Sequence, residues 1–203
     1  MKSRSITGIA HEAARIICEE SITDYAVAKQ KAAQRLGLGE KSALPKNVDV
    51  EAAVLEYQRI FGGRHYVARL RALRETALRA MKLLAPFDPR LVGGAVSGAV
   101  SDAHRVQLHA FCDKPELLDA FLHDRGIVYE QGEREYRYPD GSKEVVPLVR
   151  FEAGDVGVDV AAFPPGDERR APLSPADGAP MRRLDATEVE ALPPAGAVAT
   201  GGR

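Results

Sequence analysis

Along the first third of the chain apolar residues return every three or four positions, as Ile9, Ala13, Ile16 and Ile17, then Tyr25, Ala28, Ala32 and Leu36. That spacing puts one apolar stripe on one side of a helix, and it predicts two helices between about Thr7 and Leu36. Ser21 and Thr23 stand where side-chain oxygens can accept from the open amides of the second, and Gly37 with Gly39 can close it. After a loop through Pro45, Asn47 or Asp49 caps a third helix carrying Val50, Val54, Leu55 and Ile60, which stops at Gly62 and Gly63. A fourth runs to about Leu84. Its stripe is Val67, Leu70, Leu73, Ala77, Met81 and Leu84, Arg69, Arg71, Arg74, Arg79 and Lys82 occupy much of the rest, and Pro86 and Pro89 end it.

Beyond Pro89 the period changes from helix to sheet. RLVGGAV reads as a short buried strand entering a glycine turn, and VQLHAF alternates as a second strand. Asp113, Pro115 and Glu116 open a helix through Leu117, Leu118, Phe121 and Leu122 to Gly126. IVYE, EREYRY, VVPLVRFE and VGVDVAAF then follow closely, punctuated by Gly132, Pro139-Asp140-Gly141 and Ala153-Gly154-Asp155. Pro147 has no amide to donate, which assigns its position to an edge or a bulge. After Phe163 the chain turns rich in Pro, Gly, Ala and charge, and beyond about Ala186 it lacks the periodic apolar residues that would make it matter for folding. The fold class expected is α+β: N-terminal helices packed on a mixed, largely antiparallel sheet, with an irregular C-terminal tail. Residues 1–86 form the helical region, 87–163 the α/β core and 164–203 the tail.

Composition narrows the setting. The 203 residues are 45% hydrophobic and 28% charged, which excludes wholesale disorder. A net charge of −1 argues against indiscriminate polyanion binding while leaving room for a local basic face. Cys18 and Cys112 have no CxxC partner, so neither a disulfide framework nor zinc is expected, and a reducing compartment fits. Arg15, His11 and Glu12 interrupt any apolar run near the N-terminus, and no run reaches transmembrane length. A cytoplasmic location away from membranes is the expectation.

The residues that carry candidate chemistry are LVGGAVSGAVSDAHRVQLHAF and VGVDVAAF. Helices, a strand ending in Gly-Gly, an alternating strand, a helix and antiparallel strands follow in the order of a minimal nucleotidyltransferase domain. The middle third thereby resembles the nucleotidyltransferase fold of the DNA polymerase β superfamily. The helical start and RRAPLSPADGAPMRR are similar to a bacterial group of small nucleotidyltransferase-like proteins. The resemblance implies that Gly93 and Gly94 approach a triphosphate, with Ser97-Gly98 as the small turn that follows. It implies a carboxylate pair two residues apart on the second strand, where alternate side chains face one way and can share two magnesium ions. Those positions fall at about Arg105 and Gln107, neither of them acidic. Asp159 matches the third carboxylate, and Asp102 is the acid nearest upstream.

Plainer readings stand beside these. Gly93 and Gly94 also suit a tight turn, and Ser97, which lacks the first glycine of a GxSxG elbow, suits a turn hydroxyl. Asp159 suits a solvent-facing strand position, and His104 and His109, five residues apart, project to opposite faces rather than to one metal. The arginines of the fourth helix suit either a solvated face or a phosphate backbone. Two functions follow from the resemblance. One is a nucleotide- or phosphate-binding relative that is catalytically impaired, a pseudoenzyme in which Arg105 meets phosphate in place of a metal. The alternative is an active transferase using Mg and NTP, with Asp159 and Asp102 as metal ligands and RNA, a protein or a small molecule as acceptor. No P-loop motif and no organic cofactor motif is present.

Overall fold

The computed structural model describes residues 2–39 and 42–194. It is an α+β protein whose helices accompany a five-stranded mixed sheet. Within those residues the chain divides into two compact units. One takes in the chain up to Arg71, Gly98–His104 and the last two described residues; the other comprises Ala72–Ser97 and Arg105–Leu192.

The first unit is helical. Helix α1 (Lys2–Glu19) packs on both α2 (Tyr25–Arg35) and α3 (Asn47–Tyr57). Ile9, Ala13, Ile16 and Ile17 of α1 are buried against Ala28 and Ala32 of α2 and Val50 and Val54 of α3. The cap of α2 is Asp24, whose carboxylate accepts from the amides of Ala26 and Val27 at 2.7 and 3.0 Å, rather than Ser21 or Thr23. Lys46 takes the N-cap position of α3, with Asp49 accepting from its backbone amide.

Between α3 and α4 (Gly63–Leu83) the backbone widens into a π-turn over Gln58–Gly62. An extra residue in a turn rotates the positions around it off the buried stripe. Ile60, read from the sequence as a stripe residue, is accordingly 53% exposed; Val67, in the first turns of α4, is 40% exposed.

The second unit is built on a sheet ordered β1-β2-β5-β4-β3, with β1 (Arg90–Val92), β2 (Val106–Phe111), β3 (Tyr129–Arg137), β4 (Lys143–Ala153) and β5 (Val156–Phe163). Only the β2–β5 pairing is parallel. A four-residue helix, α5 (Gly94–Ser97), follows β1, and α6 (Glu116–His123) lies between β2 and β3. IVYE and EREYRY join as one strand, β3, running straight through Gly132. Pro147 lies one residue outside the ladder that β4 makes with β5, which begins at Leu148. A residue without an amide costs that ladder nothing there.

Directly paired residues share a sheet face. One face, with Leu91, Leu108, Val158, Val160, Val149 and Phe151, is buried and apolar. The other is divided: Phe111, Phe163, Ala161, Leu148 and Tyr136 form an apolar half, against which Met181 packs, and the remainder is polar.

Beyond β5 the chain is irregular, yet it is anchored within this unit. Leu184 exchanges backbone hydrogen bonds with Leu91 at 2.8 and 3.0 Å, extending the sheet past β1, and α7 (Ala186–Glu190) buries Val189. Asp185 and Glu188 cap α7 reciprocally. Residues near Ala186 therefore carry more packing than their composition suggests. Among the described residues no helix is long and apolar enough to cross a membrane.

Two outcomes follow. Leu184→Ala should lower unfolding stability by about 2–3 kcal/mol in urea titrations, as expected for a large side chain lost from a core. The second concerns His104, whose Nδ1 accepts from the Ser101 amide at 2.9 Å and lies 3.0 Å from the Ser101 hydroxyl. Burial, reinforced by the Arg69 charge, lowers its pKa to about 4. The unfolded chain then binds a proton that the folded chain refuses. The stability this group supplies is whole above about pH 6.5 and falls as pH drops towards 4. Chemical denaturation across that window should show a shallower slope for His104→Asn than for the parent, by about 3 kcal/mol in total.

Candidate functional site

Cross-strand pairing sets the candidate site in the second unit. Val92 pairs with Gln107, Gln107 with Asp159, Asp159 with Arg150, and Arg150 with Glu130. All five strands thus present one row of residues on the divided face. Gly93 follows Val92 directly with φ +75, and a Cβ there would stand 2.7 Å from the Gln107 side-chain oxygen. The positive φ favours glycine here, while the Gln107 amide, at the end of a flexible side chain, fills the space its missing Cβ leaves. Two strand spacings separate this turn from Asp159, on the order of 10 Å.

Gly94 opens α5 and Ser97 ends it; the amides of Val96 and Ser97 both turn back to the Gly93 carbonyl. Gly98 and Asp102 belong to the first unit. Tyr66 donates to the Gly98 carbonyl at 3.1 Å, and His65 Nε2 lies 2.7 Å from Asp102 Oδ1. Gly93, Gln107 and Asp159 are therefore brought to one face of the sheet, while Gly98 and Asp102 are engaged within the helical unit.

Asp159 does not face solvent. It is 5% exposed, in a strand buried at every position. An ionised carboxylate so placed needs partners, and it has two. Arg105 Nε donates to Oδ1 at 2.6 Å and Arg134 Nη2 to Oδ2 at 3.1 Å. Arg105 extends further, its Nη1 donating to Glu152 at 2.6 Å and its Nη2 to the Phe151 carbonyl at 3.1 Å. Burial works against the Arg105 charge, but the bonds to Glu152 and Asp159 outweigh it and raise its pKa.

The backbone makes room for these arginines. Any Cβ on Gly157 would collide with the Arg105 guanidinium, and one on Gly132 would stand 3.1 Å from Arg150 Nη1. Arg150 itself makes no side-chain hydrogen bond or ion pair among the described residues, and neither does Glu130 opposite it. Arg134, Arg150 and Glu152 were not among the residues singled out from sequence. Their signal is the pair of glycines inside strands, Gly132 and Gly157, which mark places where another group crosses the sheet closely.

Among the described residues no three His, Cys, Asp or Glu side chains converge as a metal-ligand set. The arginines of α4 that suggested a phosphate surface are partly committed. Arg69 donates to the carbonyls of Asp102 and His104, Arg74 to that of Ala95, and Arg79 to the Thr76 hydroxyl. What the arrangement offers chemically is a sheet-mounted carboxylate neutralised by two guanidiniums, beside a third guanidinium that is free.

In comparisons with known proteins, no protein-family model matches the chain and no curated protein matches it.

Removing one partner from a buried pair leaves the other charge uncompensated. Arg105→Met should cost about 2–3 kcal/mol, somewhat below the range for fully buried pairs because Arg105 is about a third exposed. Asp159→Asn in the same chain should restore part of that loss. Equilibrium unfolding of both single variants and the double variant measures the coupling; additive effects would mean that the two side chains do not sense each other.

Proposed function

We propose that the second unit is a nucleotidyltransferase-like domain that binds a phosphate-bearing ligand, a nucleotide foremost, on the polar half of its sheet without metal-dependent transfer. The observation that carries this reading is the state of Asp159, both of whose oxygens are bonded to guanidiniums. Nucleotidyl transfer needs metal ions to neutralise charge that develops on phosphate. A magnesium ion at Asp159 would compete with Arg105 and Arg134 for the same oxygens. Two positive charges about 4 Å apart repel by about 4 kcal/mol at an effective dielectric of 20. Residues 105 and 107, where the resemblance calls for acids, supply a guanidinium and an amide instead.

Phosphate recognition is the chemistry left to such a face. Arginine meets phosphate through paired N–H donors, and Arg150 has all of its donors free among the described residues. The Gly93 turn lies at the other end of the same row. Of the acids on this face among the described residues, Asp159 and Glu152 are bonded to Arg105 and Glu144 to Arg170, which leaves Glu130 opposite Arg150.

The test has two arms. Calorimetric titration with ATP and with inorganic phosphate should show binding that Arg150→Ala weakens at least tenfold. Incubation with labelled NTPs, magnesium or manganese, and total RNA or protein should give no transfer of label. Robust transfer that disappears in Asp159→Ala would establish the active transferase in place of this reading, with Asp102 the next residue to substitute. Absence of both binding and transfer would leave the arginine row a purely structural network.

A further inference from the structure

The helical unit holds a cleft of about 220 Å³, every lining residue of which belongs to that unit. Its wall is the π-turn. Such turns are uncommon and recur at functional positions, and this one depends on Gly62, where any Cβ would collide with the side chains of Gln58 and Tyr66. Gln58, itself buried, fixes the turn by donating to the Val100 carbonyl at 2.7 Å and towards Cys18 Sγ at 3.4 Å. The widened turn brings Phe61 beside Tyr57, with ring centroids 4.8 Å apart, and leaves Phe61 67% exposed. A phenyl ring held in water next to a cleft is apolar surface awaiting a cover.

The charges around the cleft decide what can cover it. Glu19 is bonded to Arg15 and to the Tyr57 hydroxyl, and Asp102 to His65. Both acids are answered. Arg69 is not: its Nη2 donates only to the neutral carbonyls of Asp102 and His104, at 2.7 Å each, and its Nε is buried with no acceptor. A buried donor left without an acceptor costs about 1–3 kcal/mol, and an anion near the guanidinium would reduce that cost and balance the charge. The volume limits size. Sites for drug-sized ligands run to roughly 300–1,000 Å³, so this cleft suits one ring and one acid group.

We infer that this cleft binds a small aromatic acid, its ring stacked on Phe61 and its oxyanion drawn to Arg69. The site is independent of the arginine row on the sheet. Carboxylate and phosphate both supply the oxyanion, and the probes separate them. The full chain is titrated with benzoate and with phenyl phosphate, following amide shifts by NMR, alongside cyclohexanecarboxylate and benzylammonium. At least one aromatic acid should bind with a millimolar or lower dissociation constant, shift residues 57–69 and 100–102, and outcompete both the non-aromatic acid and the cation. Phe61→Ala, at an exposed position, keeps the fold and should weaken binding at least fivefold. Arg69→Lys should weaken it while retaining the positive charge, and Arg150→Ala should leave the shifts at residues 57–69 and 100–102 unchanged. Failure of both aromatic acids to shift the cleft residues, equal binding by Phe61→Ala, preference for benzylammonium, or loss of the shifts at residues 57–69 and 100–102 in Arg150→Ala would each overturn the assignment.

Discussion

A carboxylate buried in a β-sheet has to be matched by positive charge at hydrogen-bonding distance, and the polar half of this sheet is arranged around that requirement at Asp159. Arg105 and Arg134 arrive from either side to supply it. Gly157 is a glycine because Arg105 must lie across the strand there. Glu152 takes the next donor of Arg105, so the guanidinium is fixed at two carboxylates rather than swinging about one. Gln107, a neutral residue next to Asp159 in the register, fills the space beneath the Gly93 turn without adding charge. The same constraint that holds the sheet together occupies the oxygens a metal would use.

The other half of the face solves its polarity differently. His109 is 1% exposed, and its Nδ1 accepts from Arg183 Nε at 3.0 Å. Burial, with the nearby charges of Arg183 and Arg134, holds its pKa far below the ordinary histidine value, so the imidazole stays neutral. Arg183 reaches this place because the irregular segment after β5 is tied to β1 through Leu184, and its guanidinium lies over the rings of Phe111 and Phe163. The segment thus acts as a cover for the apolar half, whereas the half around Asp159 keeps Arg150 free of partners.

Much of this was legible in the sequence. Hydrophobic period alone separates the helical stretch from the sheet, and Gly-Gly after a short strand marks the turn beside the row of paired residues. Pro147 announces the end of a ladder. Other features depend on contacts that no local pattern encodes. The π-turn at Gln58–Gly62 shifts the phase of the stripe, so Ile60 reads as buried and is not. Asp159 reads as an exposed acid in an alternating strand, because its partners lie 54 and 25 residues away in the chain. Val189 and Leu184 sit in a composition that looks unstructured, and long-range pairing with β1 is what orders them.

The central claim is that Asp159 is the anionic member of an arginine network and not a metal ligand. Paramagnetic relaxation by manganese tests it most directly, since the ion broadens nuclear resonances close to where it sits. With the ion titrated to millimolar concentration, the amides of Gln107, Val158, Asp159 and Val160 should broaden no more than those of the sheet at large. Selective broadening centred on those four amides, abolished by Asp159→Asn, would contradict the account.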